Sequence, residues 1–303
     1  MTKDLIAATG NSLDASFTAA ALGLHFAVTE GIPRIVNAWK LADILNARKE
    51  ILDGIRRVWI VGMEIDPNLS SALNSYKPAL EAYSLSNLED SKSGARTLMA
   101  SGIGKAMIAD GRWKNLVQCA LYADLQFSGN ADAKEWSDSR AFAIAVDAYG
   151  RIPWKHPDLF LDEWKLLLQE EDAFEAMKQT GLAMCDHADA HLESQIRSNG
   201  GLLEFAGSKW ICLNGSAGRL KGKDVASPAE HDGVLSWQWC PRQKAWRIFF
   251  ESEGSADLDA VSEACADFAG SQKKPVRFRD RWLLAYLERM PFRLQDVKYF
   301  WKF

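Results

Sequence analysis

The residues of this chain best placed to do chemistry lie in Thr9-Gly10-Asn11-Ser12-Leu13-Asp14, between the apolar run Leu5–Ala8 and the alanine-rich stretch Ala15–Leu22. A buried strand, a polar turn and a helix packed through small side chains make a ligand-holding edge of a parallel sheet. The turn offers a carboxylate (Asp14), a hydroxyl (Ser12) and an amide (Asn11). These groups can cap the helix, with Asp14 or Ser16 accepting from its free N–H groups, or line an anion site at the helix start. The GxxxxGKS/T pattern of a phosphate loop is absent, so a structural turn is the simpler expectation.

Other reactive side chains assemble less well. In Asp186-His187-Ala188-Asp189-Ala190-His191 the two histidines fall one helical turn apart, as in a metal site. Ala188 stands where an HExxH protease needs its glutamate, and a polar helix face is the expectation. His25 lies inside the first helix, His156 precedes a proline and His231 sits in a turn, so no Ser-His-Asp or Cys-His triad can be assigned. The 5 cysteines are scattered without a CxxC pair, which excludes a zinc cluster or a disulfide framework and fits thiols in a reducing cytoplasm.

Alternating apolar runs and helical stretches must position these groups. Strands are expected at Leu5–Ala8, Arg34–Ala38, Arg57–Gly62 and Ala79–Leu85, with helices at Ser16–Glu30, Leu45–Ile55, Gly94–Asp110 and Trp113–Asp124. That rhythm implies a parallel sheet covered by helices. Asp162–Ser198 has long helical periodicity and is stopped by Gly200-Gly201. Strands follow at Leu202–Ala206, Lys209–Leu213, Gly233–Trp239 and Ala245–Phe250, then a helix at Asp257–Phe268 and a strand at Val276–Phe278. The expected organisation is an α/β domain over residues 1–150, a helical connector over 151–199 and a smaller α+β domain with a mixed sheet over 200–303.

The 303 residues are 48% hydrophobic and 25% charged, enough to bury a core and too apolar for a disordered polymer. No run approaches the roughly 18 apolar residues of a membrane span, and Met1-Thr2-Lys3-Asp4 does not begin a secretory signal. A cytoplasmic protein without a membrane partner is expected. The net charge of −4 gives no global signal for nucleic acid, yet Lys273, Lys274, Arg277, Arg279 and Arg281 make the C-terminal part locally basic. Among 12 tryptophans, Trp237 and Trp239 alternate onto one strand face, as core or interface residues do. The aromatic tail Phe292–Phe303 is expected to dock on its own domain; docking on a partner is the alternative.

The order of these segments resembles the DHH family of phosphoesterases, in which a DHH domain precedes a DHH-associated substrate domain. One branch carries Thr-His-x-Asp-Leu-Asp-Gly after a short strand; here Thr9, Leu13 and Asp14 match, while Gly10 replaces the metal-binding His and Ser12 the first Asp. The second motif, an apolar strand ending in Asp, is matched by Val58–Val61 but ends in Gly62. No His or Asp occurs between Tyr76 and Asn87, where the Asp-His-His trio should fall; Ser93-Gly94-Ala95 matches the helix start after it and Asp124 the last metal-binding Asp. In the second domain Trp246–Ser252 matches the arginine-bearing strand, without the glycine-rich loop and histidine that should follow.

The resemblance implies two-metal phosphoester hydrolysis, which needs carboxylates and imidazoles to hold ions about 3.5–4 Å apart. Glycine, alanine and serine cannot replace them. The expectation is therefore a protein that binds a nucleotide, single-stranded nucleic acid or a protein partner instead of hydrolysing phosphoesters. Its cleft between the two domains would be lined by Asn11, Ser12, Asp14, Asp124, Lys273, Lys274 and Arg277. No cofactor is expected beyond a weak metal remnant at Asp14 and Asp124. The alternatives are an active Mn²⁺- or Mg²⁺-dependent phosphodiesterase on short oligonucleotides or cyclic dinucleotides with a divergent site, and a structural interaction subunit or homodimer.

Overall fold

Strands buried on both faces read as unbroken apolar runs, and the first sheet is built this way at its two central strands. It comprises β1 (Asp4–Ala8), β2 (Arg34–Asn37), β3 (Arg57–Val61) and β4 (Glu81–Ser84), all parallel, in the order β2-β1-β3-β4. The structure, a computed structural model, describes residues 4–300 apart from 11, 48–53, 64, 77–79, 86–91, 130–132, 215–229, 242, 253–255, 271–274 and 279–281; for 276–278 and 282 the description covers the backbone alone. Alternation sends Ile6, Ala8, Trp59 and Val61 into a core shared with α1 (Leu13–Thr29). Leu5, Ala7, Val58 and Ile60 enter a second core with α2 (Leu41–Ala47) and α3 (Pro67–Asn74).

α1 is buried on nearly every side, as its all-round apolar sequence requires. Beyond the sheet it packs on α4 (Gly94–Ala100), α6 (Leu116–Ser128) and α8 (Pro157–Gln169). A Cβ at Gly23 would lie 2.6 Å from Leu161 Cδ2, so glycine sets the close approach of α1 and α8. α5 (Gly102–Asp110) and α7 (Trp136–Tyr149) complete this layer. The helix expected over Gly94–Asp110 is in fact two. Ser101, with ψ 170°, ends α4, and its hydroxyl accepts from Gly104 N to start α5. Likewise Glu170, with ψ 119°, divides the expected 162–198 helix into α8 and α9 (Glu171–Asn199).

The second sheet contains β5 (Gly201–Phe205), β6 (Ser208–Asn214), β7 (Gly233–Cys240), β8 (Ala245–Ser252), β9 (Val276–Phe278), β10 (Trp282–Leu287) and β11 (Lys298–Tyr299), in the order β11-β5-β6-β7-β8-β10-β9. β6 and β7 pair in parallel and the other neighbours are antiparallel. One face (Trp210, Cys212, Leu235, Trp237, Ile248, Phe250) forms a core with Leu258, Val261 and Cys265 of α10 (Leu258–Ala266). The other packs Ile211, Leu213 and Val234 against Ile196 and Leu192 near the end of α9. The chain divides into two compact units, Met1–Cys185 and Asp186–Phe303, and α9 runs across the boundary. No helix among the described residues is long and apolar enough to cross a membrane.

Candidate functional site

In an open parallel sheet, ligands bind beyond the carboxyl ends of the strands, where the strand order reverses. Here the chain leaves β1 for β2 on one side and returns to β3 on the other, so the switch point lies between β1 and β3. The loops that flank it begin at Thr9 and Gly62, and Thr9 N donates to Val61 O across the gap. Both glycines of these loops, Gly10 (φ +61°) and Gly62 (φ +81°), occupy the left-handed region that other residues avoid.

Each glycine is also enclosed. A Cβ on Gly10 would meet Trp154 Cζ3 at 2.8 Å and Pro153 Cδ at 2.9 Å. A Cβ on Gly62 would meet Thr9 Oγ1 at 2.3 Å and Ala15 Cβ at 2.7 Å. At the two positions where the resemblance expects a histidine and a carboxylate, a side chain would have to displace these neighbours.

The retained carboxylates are engaged by the protein itself. Asp14, in the first turn of α1 and only 2% exposed, accepts from Gly94 N at 3.0 Å and Ala95 N at 2.8 Å. It was expected to cap its own helix; that role belongs to Ser12, whose hydroxyl accepts from Ala15 N at 3.2 Å, while Ser16 lies buried inside α1. Asp14 instead satisfies the first N–H groups of α4, which have no partner within their own helix. Asp124, on α6, accepts from Ser93 Oγ at 2.6 Å and pairs with Arg96 Nη2 at 3.0 Å. Ser93 is the N-cap of α4, and its Oγ also accepts from Arg96 N. Both carboxylates thus converge on one turn, Ser93-Gly94-Ala95-Arg96.

Asn11, Lys273 and Lys274 lie outside the described residues, and Arg277 is placed only by its backbone, on the edge strand β9. Within the second unit the Nε of Arg247, on β8, is buried without a hydrogen-bond partner. His187 and His191 are exposed on α9, and His191 contacts Gln195 instead of a metal-ligating group. No group of three or more His, Cys, Asp or Glu able to hold a metal occurs among the described residues. Thiol chemistry has no support either. Cys119 and Cys212 are buried and burial pushes their thiols up, as it does Cys265, to about 12. Of the aromatic tail, Phe292 and Tyr299 pack on the core under α10, and Phe300 on the opposite core. Trp237 is buried, whereas its strand neighbour Trp239 is 47% exposed and meets Trp246 edge-on.

No protein-family model matches the sequence, and no curated protein matches it. Solved structures do. The pGpG-specific phosphodiesterase PggH from Vibrio cholerae aligns over 94% of this chain and 93% of its own, with a TM-score of 0.51 at 10% identity. The chain has a DHH-like fold. Further similarities are RecJ from Thermus thermophilus, solved with Mn²⁺ (TM-score 0.45, 11% identity, 94% of this chain), and CDC45 from Entamoeba histolytica (0.44, 9%, covering 95% of this chain and 92% of that one). The chain spans about half of the RecJ chain, 49% of its length.

The sequence resemblance implies a divalent metal centre, and the described residues supply no group of three or more donors for one. Two of the donor positions in that resemblance are glycines where a Cβ would crowd neighbouring side chains, and the two carboxylates carry N–H, hydroxyl and guanidinium partners. Ser93-Gly94-Ala95 is legible in the sequence as a helix start and Thr9 as a motif match, whereas Arg96, Trp154 and the space-filling part played by Thr9 are not. Arg96, three residues after the capping serine, carried a local signal; Trp154 and Thr9 fill space that only the fold defines.

Proposed function

We propose that this protein is a non-catalytic relative of the DHH phosphoesterases, which binds a nucleotide or short single-stranded nucleic acid without metal-dependent hydrolysis. The observation that carries this reading is the engagement of Asp14 and Asp124 by the Ser93–Arg96 turn. A nucleophilic hydroxide at neutral pH requires a metal to lower the pKa of bound water, and these two carboxylates have been given other partners. The ligand class is supported by the likeness to a pGpG-specific phosphodiesterase and by the basic residues Lys273, Lys274 and Arg277. Ser12 borders the switch point where such a ligand would rest.

The test is incubation of the purified chain with pGpG and with a short oligonucleotide, in Mn²⁺ and in EDTA. The expected outcome is retention of both substrates and binding that is unchanged by EDTA. Mn²⁺-dependent cleavage that disappears in Asp14→Ala would overturn the reading.

A further inference from the structure

The misfit between this site and a two-ion centre has a definite form. The chain keeps carboxylates at positions 14 and 124, and among their described partners are two backbone N–H groups, a hydroxyl and a guanidinium. We infer that the first turn of α4, with Ser93 and Arg96 at its ends, is a built-in counter-ion that occupies the electrostatic role of the divalent ions. The inference rests on the proposed loss of the metal centre.

A carboxylate as buried as Asp14 needs hydrogen bonds or a cation to remain ionised, and two backbone N–H groups serve it. Asp124 has its Oδ1 on the Ser93 hydroxyl and its Oδ2 on the Arg96 guanidinium, so both oxygens have a partner. The Ser93 hydroxyl links Asp124 to the Arg96 backbone, which places charge and cap in one local unit. An incoming divalent cation would have to displace Arg96, whose positive charge opposes its approach. Gly10 and Gly62, crowded by Trp154, Pro153, Thr9 and Ala15, bring no side-chain ligand of their own to repay that displacement.

Arg96 is the replaceable part of this arrangement, since its side chain is 63% exposed and reaches Asp124 from the surface. Removing it should leave Asp124 uncompensated and create a weak cation site that the natural protein lacks. Thermal unfolding of the full chain would be followed in EDTA and in about 10 mM MnCl₂, without nucleotide. The natural protein should show the same midpoint in both. Arg96→Gln should gain a Mn²⁺-dependent rise of roughly 2–4 °C, abolished by adding Asp124→Asn, while Arg96→Lys should behave as the natural protein. A folded Arg96→Gln with no Mn²⁺ response would overturn the inference. A Mn²⁺ titration of the natural protein by electron paramagnetic resonance gives an independent answer should Arg96→Gln fail to fold. An undiminished free-ion signal supports the counter-ion, and stoichiometric uptake that Asp124→Asn removes overturns it. Nucleotide binding is read in the EDTA arm of that assay and this experiment contains no nucleotide, so each can fail alone.

Discussion

The two ends of the parallel sheet solve the same electrostatic problem in different ways. At the amino end Asp4, fully buried at the start of β1, receives Arg57 through two hydrogen bonds of 2.7 Å and Trp59 Nε1 at 2.8 Å. Arg57 also reaches Glu30 and lies over the Phe26 ring. The Asp4 hydrogen bonds hold its guanidinium firmly protonated, far above its ordinary range. At the carboxyl end Asp14, equally hidden, is held mainly by peptide N–H groups. The first arrangement ties strand to strand and depends on one side chain; the second ties helix to helix through backbone N–H groups that side-chain substitutions other than proline leave in place.

That difference predicts where each end breaks. Arg57→Met should have the largest effect, a loss of about 3 kcal/mol, because it takes the cation from a buried carboxylate at the amino ends of β1 and β3. Adding Asp4→Asn should recover part of that loss, which chemical denaturation of the single and double variants would reveal. Asp14→Asn should cost less, about 1–3 kcal/mol, since the amide keeps one acceptor for α4 but turns an NH₂ toward the other N–H. An Asp14→Asn cost exceeding that of Arg57→Met would invert the comparison.

The smallest effect belongs to His25, whose pKa is lowered, chiefly by burial. Arg57 pushes it the same way, while Glu30 and Asp4 oppose. A histidine that resists protonation in the folded state takes up a proton more readily when unfolded. Its contribution is therefore intact above about pH 6.5 and is lost as the pH falls through that value toward the lowered one. Unfolding midpoints between about pH 7 and pH 5 should fall slightly less steeply in His25→Gln than in the natural protein.

The two central strands of the first sheet were legible because a strand buried on both faces must be apolar throughout, and Leu5–Ala8 and Val58–Val61 are. Boundaries set by one residue's backbone were not: Ser101 and Glu170 each interrupt a run whose apolar spacing continues across them. α7 passed unread, since its mixture of Ala, Ser, Asp and Arg gives little contrast between faces. At the site, the missing donors could be seen in Gly10 and Gly62. The partners of Asp14 could not, because Gly94 and Ala95 lie 80 and 81 residues away and contribute only backbone.

The pairing of β11 with β5 carries a consequence for how the second unit is assembled. Lys298 and Tyr299 return to Leu202 and Gly201 after the entire remainder of the sheet has intervened. A Cβ at Gly201 would lie 2.6 Å from Val297 Cγ1, so the strand edge is shaped to receive that late segment. Contacts so distant in sequence form slowly because a long loop must close before they are rewarded. Until they form, β5 offers an open edge to any other extended chain. The hazard of mispairing in this protein is concentrated in the interval between synthesis of β5 and arrival of its last partner strand.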